Sequence, residues 1–503
     1  MRLPNSPFLF LALFVSIALH AQLPPSGFTV ISTPPIDDGN ANYGQIPRLV
    51  LGANGSPLVS FLWRYPNGNL TNDTSTLYFT AWIPATNRWS TPVQVAVTGN
   101  TAVNGGSDVA QSLAYDASTN TIGIAYYPAT DPNNIYIALS TNGGATWTSQ
   151  AVDPNSLNTD HVPQLALVNG QIFLSYVQSA SGIWYVTGKE TAPSTTWTAT
   201  MLPLPSGYSG FQWNLGLAVD ADSNPGVAYQ SMSDATEADC PILFWRPGGP
   251  ALKVGSTNGE GCGAGLKLAF YGTQPRIAYL GSRDTDQTHQ LWAVASSDTG
   301  NTWGLFYPVP DDSNRLAAPI SFAVGPQGVS AIEVEDNGGD GSNGCGDPKI
   351  ATSPDFQNWT MCGPAPAGQP SFGAGGTTVQ YESTGQLITA FQVLDGSAAL
   401  AYGRELWLQP ATNSVLPTIS AGGIANAASY VTSIALLYAG PNQINFQVPW
   451  ETAMGNASVV VSTSAGSSLP TTVNVVAQAP GIFYVYRQPV RGPESGLLAQ
   501  RPQ

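Results

Sequence analysis

The chain has 503 residues, only 9% of them charged, and 31 Asp+Glu against 16 Lys+Arg give a net charge of −15. So acidic a chain is poorly suited to nucleic acid or anionic membrane surfaces, and 43% hydrophobic residues is too many for a disordered one. Fifty-three Gly and 41 Pro argue against long helices and for an all-β, turn-rich fold, while three His and four Cys leave little for a multi-ligand zinc or iron–sulfur centre.

The N-terminus reads Met1-Arg2, then an apolar run Phe8–Leu19, then His20-Ala21-Gln22. This fits a cleavable secretory signal over residues 1–21. Its apolar run is too short to span a bilayer, and no later stretch is long and apolar enough to do so. The expected destination is extracellular or the cell surface. Four Cys agree with an oxidising compartment. Cys240 and Cys262 are 22 apart, and Cys345 and Cys362 are 17 apart; spacing alone leaves three pairings open.

From residue 22 to about 410 one motif recurs. An apolar strand (A) meets a Gly/Asn/Asp turn, and a second strand (B) follows near the pattern Ile/Val/Leu-Ala/Ser-Tyr/Phe. Copies begin near Leu49, Leu113, Leu165, Leu217, Leu268, Phe322 and Val379, at spacings of 64, 52, 52, 51, 54 and 57. A period near 50 with several short strands per unit predicts a β-propeller, here of about seven four-stranded blades, with six as the alternative. A third strand (C) is expected at Tyr136–Ser140 and Leu291–Ser296. The last copy has A, B and a C-like strand at Ala398–Leu408 but no fourth strand (D). Phe28–Ser32 could supply it and close the ring, hiding its edges.

A second motif follows strand C. Residues Ser296 to Trp303 match S-x-D-x-G-x-T-W in full through Asp298, Gly300 and Trp303. Ser140, Asn142, Gly144 and Trp147 match with Asn for Asp, and weaker copies end at Trp89, Trp197 and Trp359. The pattern resembles the Asp-box, or BNR repeat, of sialidase-like propellers. In that family the boxes are structural, so the resemblance implies a fold and not a chemistry. It also implies that ligands bind on the face carrying the D–A and B–C loops, here called the upper face.

That sorting puts Cys240 and Cys345 in B–C loops just before strand C, and Cys262 and Cys362 after strand D. The equivalence favours pairs 240–262 and 345–362, each worth about 3 kcal/mol in the loop-entropy model. Candidate catalytic residues on the upper face are Arg48, Arg283, Arg315, His161 and His289. To these Glu333 is added, an acid expected to be half-buried in a B strand where other copies place Tyr or Phe. Candidate ligand-binding residues are Trp63, Arg64, Asp160, Trp184, Trp213 and Asp284, because aromatic rings stack on sugar faces and charged groups bond hydroxyls or acidic substituents. Arg88 and Arg276 fall on the lower face. The sialidase resemblance would imply an arginine triad, a Tyr–Glu nucleophile pair and an Asp acid/base, but the family's opening R-I-P is replaced by Ile46-Pro47-Arg48. No cofactor signature is present; Asp336 and Asp340, in an acidic Gly-rich loop, offer oxygens for Ca²⁺ without EF-hand spacing.

Residues 411–485 differ in texture. Asn426–Tyr430, Leu436–Glu451, Ala457–Ser462 and Ala479–Phe483 predict short strands of an Ig-like sandwich. They resemble an uncharacterised C-terminal domain of secreted proteins from Solibacter-type acidobacteria, with a shorter stretch between the first two elements. A tail follows over 486–503. The sequence therefore predicts an exported, monomeric propeller that binds an extracellular glycan or a cell-surface protein. A glycan-cleaving hydrolase or lyase and a structural or adhesive envelope protein are the alternatives.

Overall fold

The computed structural model describes residues 28–32, 43–65, 74–98, 111–128, 130, 134–152, 162–178, 182–191, 197–233, 240–255, 265–282, 289–309, 316–336, 349–362, 377–383, 385–392 and 398–402, together with short strands between 435 and 475. The chain divides into two compact units, Met1–Thr412 and Asn413–Gln503.

In the first unit the strands follow one plan. After β1 (Phe28–Ser32) come β2 (Tyr43–Leu51), β3 (Pro57–Tyr65), β4 (Thr74–Ile83), β5 (Arg88–Trp89) and β6 (Val93–Thr98), which form a five-stranded sheet. Next are β7 (Gln111–Asp116), β8 (Thr121–Tyr126), β9 (Tyr136–Ser140) and β10 (Thr148–Ala151). Then come β11 (Gln164–Val168), β12 (Gln171–Gln178), β13 (Gly182–Lys189) and β14 (Thr198–Met201). The fourth set is β15 (Ser209–Val219), β16 (Pro225–Ser233), β17 (Ile242–Trp245) and β18 (Leu252–Gly255). It is followed by β19 (Gly265–Tyr271), β20 (Gln274–Ser282), β21 (His289–Ala295) and β22 (Tyr307–Pro308). Then come β23 (Leu316–Val324), β24 (Ser330–Asp336), β25 (Lys349–Ser353) and β26 (Thr360–Cys362). The last are β27 (Thr377–Tyr381), β28 (Leu387–Gln392) and β29 (Ala398–Tyr402). Against the expectation of uniformly four-stranded blades, among the described residues of this unit six sheets have four strands and the β2–β6 sheet carries a fifth.

Innermost strands touch in the order β2, β7, β11, β15, β19, β23, β27 and back to β2. This closed ring of antiparallel sheets is a β-propeller. It closes as the sequence suggested: β1 pairs with β29, Phe28 opposite Ala401 and Val30 opposite Ala399. The last sheet thus takes its outer strand from the other end of the chain, which fixes the ring.

Stacking explains the burial. The second strands lie between neighbouring sheets, so β8 is buried at all six positions. One apolar cluster joins Ala125 and Ile137 of one sheet to Leu165, Leu174 and Tyr176 of the next. Turn chemistry sets the strand ends. Asn169 and Gly170, at φ 52° and 74°, supply the two left-handed positions of a tight β11–β12 hairpin.

The lower face is sewn turn to turn. Gly170 N donates to Asp116 Oδ2 at 2.7 Å, Asn169 Nδ2 to Ser223 Oγ at 2.9 Å, and Ala221 N to the Gly272 carbonyl at 3.0 Å. Arg276 lies on this face, as expected. Its Nη1 donates to the Gly328 carbonyl at 2.6 Å and to Ser330 Oγ at 2.8 Å, and its guanidinium sits 4.9 Å from the ring centres of Tyr271 and Phe356. Arg246 pairs with Asp220 at 2.9 Å and reaches the carbonyls of Thr299, Asn224 and Thr273.

In the second unit the described strands are β30 (Ala435–Gly440), β31 (Gln443–Gln447), β32 (Gly455–Val459), β33 (Ser462–Thr463), β34 (Gly466–Ser467) and β35 (Thr471–Val475). They pair as β30–β31, β32–β35 and β33–β34. The Asn426–Tyr430 and Ala479–Phe483 elements, the signal segment and the tail lie outside the described residues. No helix among the described residues is long and apolar enough to cross a membrane.

Candidate functional site

Strand pairing gives a register common to the whole ring. The residue before the start of each sequence copy faces one residue of the neighbouring B strand: Arg48 and Ser60, Ser112 and Ala125, Gln164 and Ser175, Gly216 and Ala228. The series continues with Lys267 and Ala278, Ser321 and Glu333, and Thr378 and Ala390. Apart from Gly216, the inner members are polar and form a level around the axis. Arg48, Ser112, Gln164, Lys267 and Ser321 are half-buried there. The B-strand members are all fully buried, and all are Ala or Ser except Glu333.

Part of this level is structural. Ser112 Oγ accepts the Leu165 amide at 2.9 Å, and Ser321 Oγ accepts the Val379 amide at 3.0 Å, each from the following blade. Arg48 makes the equivalent bridge in reverse. Its Nε donates to the Gln111 carbonyl at 3.3 Å and its Nη1 to the Pro47 carbonyl at 3.2 Å. Gln111 Nε2 in turn donates to the Ile46 carbonyl at 2.9 Å. Ile46 sits at φ 49° where the β2–β3 register slips. A β-branched residue in that conformation is strained, and the irregularity sets how Arg48 enters the ring.

Glu333 departs from the sequence reading in two ways. It was expected, half-buried, at the Tyr/Phe position of the B-strand motif. Instead Val334 holds that position: Ile320 faces Val334 as Leu215 faces Tyr229 and Leu266 faces Tyr279. Glu333 is one step back, at the Ala/Ser position, and is completely buried. A one-residue step moves a side chain to the other face of its sheet. Glu333 therefore meets the following blade, where Thr389 donates to its Oε1.

Other candidates are dispersed. Trp63 is only 7% exposed and packs in the cluster of Phe61, Val59 and Ile388, with Tyr78 beside it. Its ring is committed to the core, which leaves little of it for a ligand. Trp184 is partly buried against the Leu174–Val186 cluster. Arg64, Trp213, His289 and Asp336 lie on strands, but their side chains are not among those described. Arg283, Arg315, His161, Asp160, Asp284 and Asp340 lie outside the described residues. Cys240 is fully buried just before β17 and is disulfide-bonded. Cys262 and Cys345 lie outside the described residues. Cys362 ends β26, opposite Ile350, where the sequence reading placed it beyond that strand.

Sequence reasoning passed over Lys267, Ser112, Gln164, Ser321 and Thr378. The signal was present: each precedes the first apolar residue of its copy. In a chain with four Lys and net charge −15, a Lys and an Arg share this one level. Cations among hydroxyls and an amide can bind an acidic, hydroxyl-rich ligand. Among the described residues no three His, Cys, Asp or Glu side chains are placed to hold a metal ion.

Sheet order and ring closure thus define an all-β propeller with a polar, partly cationic axial level. No protein-family model and no curated protein matches the chain. Similar solved structures include a Hadza microbial sialidase, 11% identical with TM-score 0.41, covering 72% of this chain and 65% of that one. The intramolecular trans-sialidase of Ruminococcus gnavus is 10% identical with TM-score 0.39, covering 76% and 99%. The Aleuria aurantia lectin, solved with α-methyl-L-fucoside, is 12% identical with TM-score 0.37, covering 60% and 92%. The chain thus spans just under two thirds of the Hadza sialidase.

Proposed function

We propose that the protein is an exported propeller that binds an acidic, hydroxyl-rich extracellular glycan at the upper end of its ring. The observation that carries this reading is the axial level itself, which sets Arg48 and Lys267 at one register height with Ser112, Gln164 and Ser321 in an otherwise acidic molecule. Export follows from the N-terminal signal pattern. Disulfides 240–262 and 345–362 would hold upper loops, the Ser-to-Trp turns are Asp-boxes, and the second unit is an Ig-like accessory module. Asp336 and Asp340 are the first place to look for Ca²⁺.

The test is a glycan array followed by calorimetry on the ligands retained. Arg48→Ala and Lys267→Ala should each weaken binding about tenfold, equivalent to ~1.4 kcal/mol, and the affinity should fall with added salt. Equal binding by both variants would remove the axial level from recognition. A hydrolase or lyase reading is supported by the buried acid Glu333 behind the same level. Fluorogenic glycosides test it: turnover abolished by Glu333→Gln, with binding retained, would make the protein an enzyme.

A further inference from the structure

A second polar cluster lies on the lower face, away from the axial level, where the β7–β8 and β11–β12 turns meet the end of β13. Asp116 is 2% exposed and Glu190 9% exposed. Three donors hold the Asp116 carboxylate: Gly170 N on Oδ2, and Ser118 N and Oγ on Oδ1, all at 2.7 Å. Glu190 comes from the next blade. Its Oε2 accepts from Thr119 Oγ1 at 2.5 Å, and its own amide donates to the Gly170 carbonyl at 3.1 Å. Its Oε1 is buried with no protein donor, and Gly170, which donates to Asp116 and accepts from the Glu190 amide, holds the two residues in one cluster.

Two buried carboxyl groups in one cluster resist carrying two charges, and a proton on one of them relieves the repulsion. Three donors already favour the charge on Asp116, so Asp116 is the ionised member and Glu190, whose Oε1 has no donor, the protonated one. We propose that Asp116 and Glu190 form a proton-sharing clasp that fastens two neighbouring blades in mild acid and weakens as pH rises. Burial, then the adjacent Asp116, pushes the Glu190 carboxyl up, outweighing the Thr119 and Thr121 hydroxyls that favour its charge. Burial also pushes Asp116 up, but the Gly170 amide and the Ser118 donors more than reverse it, and the net shift is down. Among the described residues, the other titratable groups at this junction are Tyr115, whose hydroxyl donates to Asn120 Oδ1, and Lys189, which is exposed.

The sign is fixed by linkage. A carboxyl whose folded value is raised adds stability below its unfolded value and loses it as pH climbs through the folded one. Asp116 acts oppositely, in stronger acid. The experiment is thermal unfolding of the full chain from pH 5 to 8, for wild type and Glu190→Gln. The carboxamide keeps a donor toward Asp116 at every pH. Wild type should lose on the order of 1–2 °C against Glu190→Gln across this range. A constant offset between the two overturns the clasp. So does a rise of wild-type Tm at pH 8 on adding calcium chloride that Glu190→Gln lacks, because a cation would then occupy the proton's place. If Glu190→Gln does not fold, Thr119→Val serves. Removing that donor should move the wild-type fall to higher pH, and an unmoved profile would refute the proposal.

Discussion

Two turns with nearly the same sequence are built differently at their second anchor. In Ser296–Trp303, the carboxylate Oδ1 of Asp298 accepts the amides of Gly300, Asn301 and Thr302 at 2.9, 2.8 and 3.1 Å, while Thr302 donates its hydroxyl to Oδ2. In Ser140–Trp147, Oδ1 of Asn142 accepts the Thr146 amide at 3.0 Å, and its Nδ2 donates to Thr146 Oγ1 at 2.8 Å. The threonine hydroxyl has reversed its role. What stays fixed is the frame: the Ser Oγ accepts the Gly amide, and the Trp indole donates to that Gly carbonyl at 3.0 Å. The two turns show that Ser, Gly and Trp shape the corner, and that the acid is an addition to it.

The largest effect should come from the glycines. Gly300 has φ +107° and a Cβ there would lie 2.3 Å from Phe244; Gly144 has φ +88° and a Cβ would lie 2.1 Å from Phe79. Phe244 and Phe79 also meet Trp303 and Trp147 edge-on. Gly300→Ala and Gly144→Ala should each cost about 3 kcal/mol, from backbone strain and overpacking together. Urea unfolding measures this. Equal costs would confirm a shared frame; a cost in one turn alone would break the equivalence.

The serines come next. Ser296 and Ser140 are 3% and 2% exposed, and each bonds both its Gly amide and the following Asp or Asn. Ser296→Ala and Ser140→Ala should each cost about 1–2 kcal/mol, the penalty of stranding a buried amide. A clearly larger loss at Ser140 would show that Asn142 cannot take up the orphaned amide as Asp298 can.

Much of this fold was legible because propeller strands repeat their chemistry. The A–B copies and the closing strand Phe28–Ser32 stand in the sequence as alternating apolar residues between turn formers. Register was less legible. Glu333 was placed one residue away from its true level, because the strand pattern alone does not fix the register against the neighbouring strand, and a one-residue slip turns the side chain to the other face. The slip between Ala317 and Ile320 in β23 is where simple counting along that blade fails. The axial level was missed for a related reason. Arg48, Ser112, Gln164 and Lys267 share no residue type, and their one common mark in the sequence is the place just before each copy's first apolar residue. Trp63 was misread because an aromatic at a strand end looks alike in sequence whether it packs inward or stacks on a ligand.

The smallest effect should come from exchanging the acids. Donors to Asp298, first the Ser296 hydroxyl and then the Thr302 amide, hold its carboxyl well below the usual range despite some desolvation. Asp355, in the shorter turn ending at Trp359, is held down to about 2, chiefly by the Asn358 amide. A carboxyl with a depressed folded value adds stability above its unfolded value and loses it as pH falls through the folded one. Asp298→Asn should therefore lower the unfolding midpoint most near neutral pH, and the deficit should shrink below about pH 4. Asn142→Asp should do the reverse, adding a midpoint gain that fades in acid, provided Thr146 turns its hydroxyl toward the new carboxylate as Thr302 does. Midpoints at pH 7 and pH 3 for both variants decide it. A deficit for Asp298→Asn that is unchanged in acid would mean the carboxylate's shape, and not its charge, completes the turn.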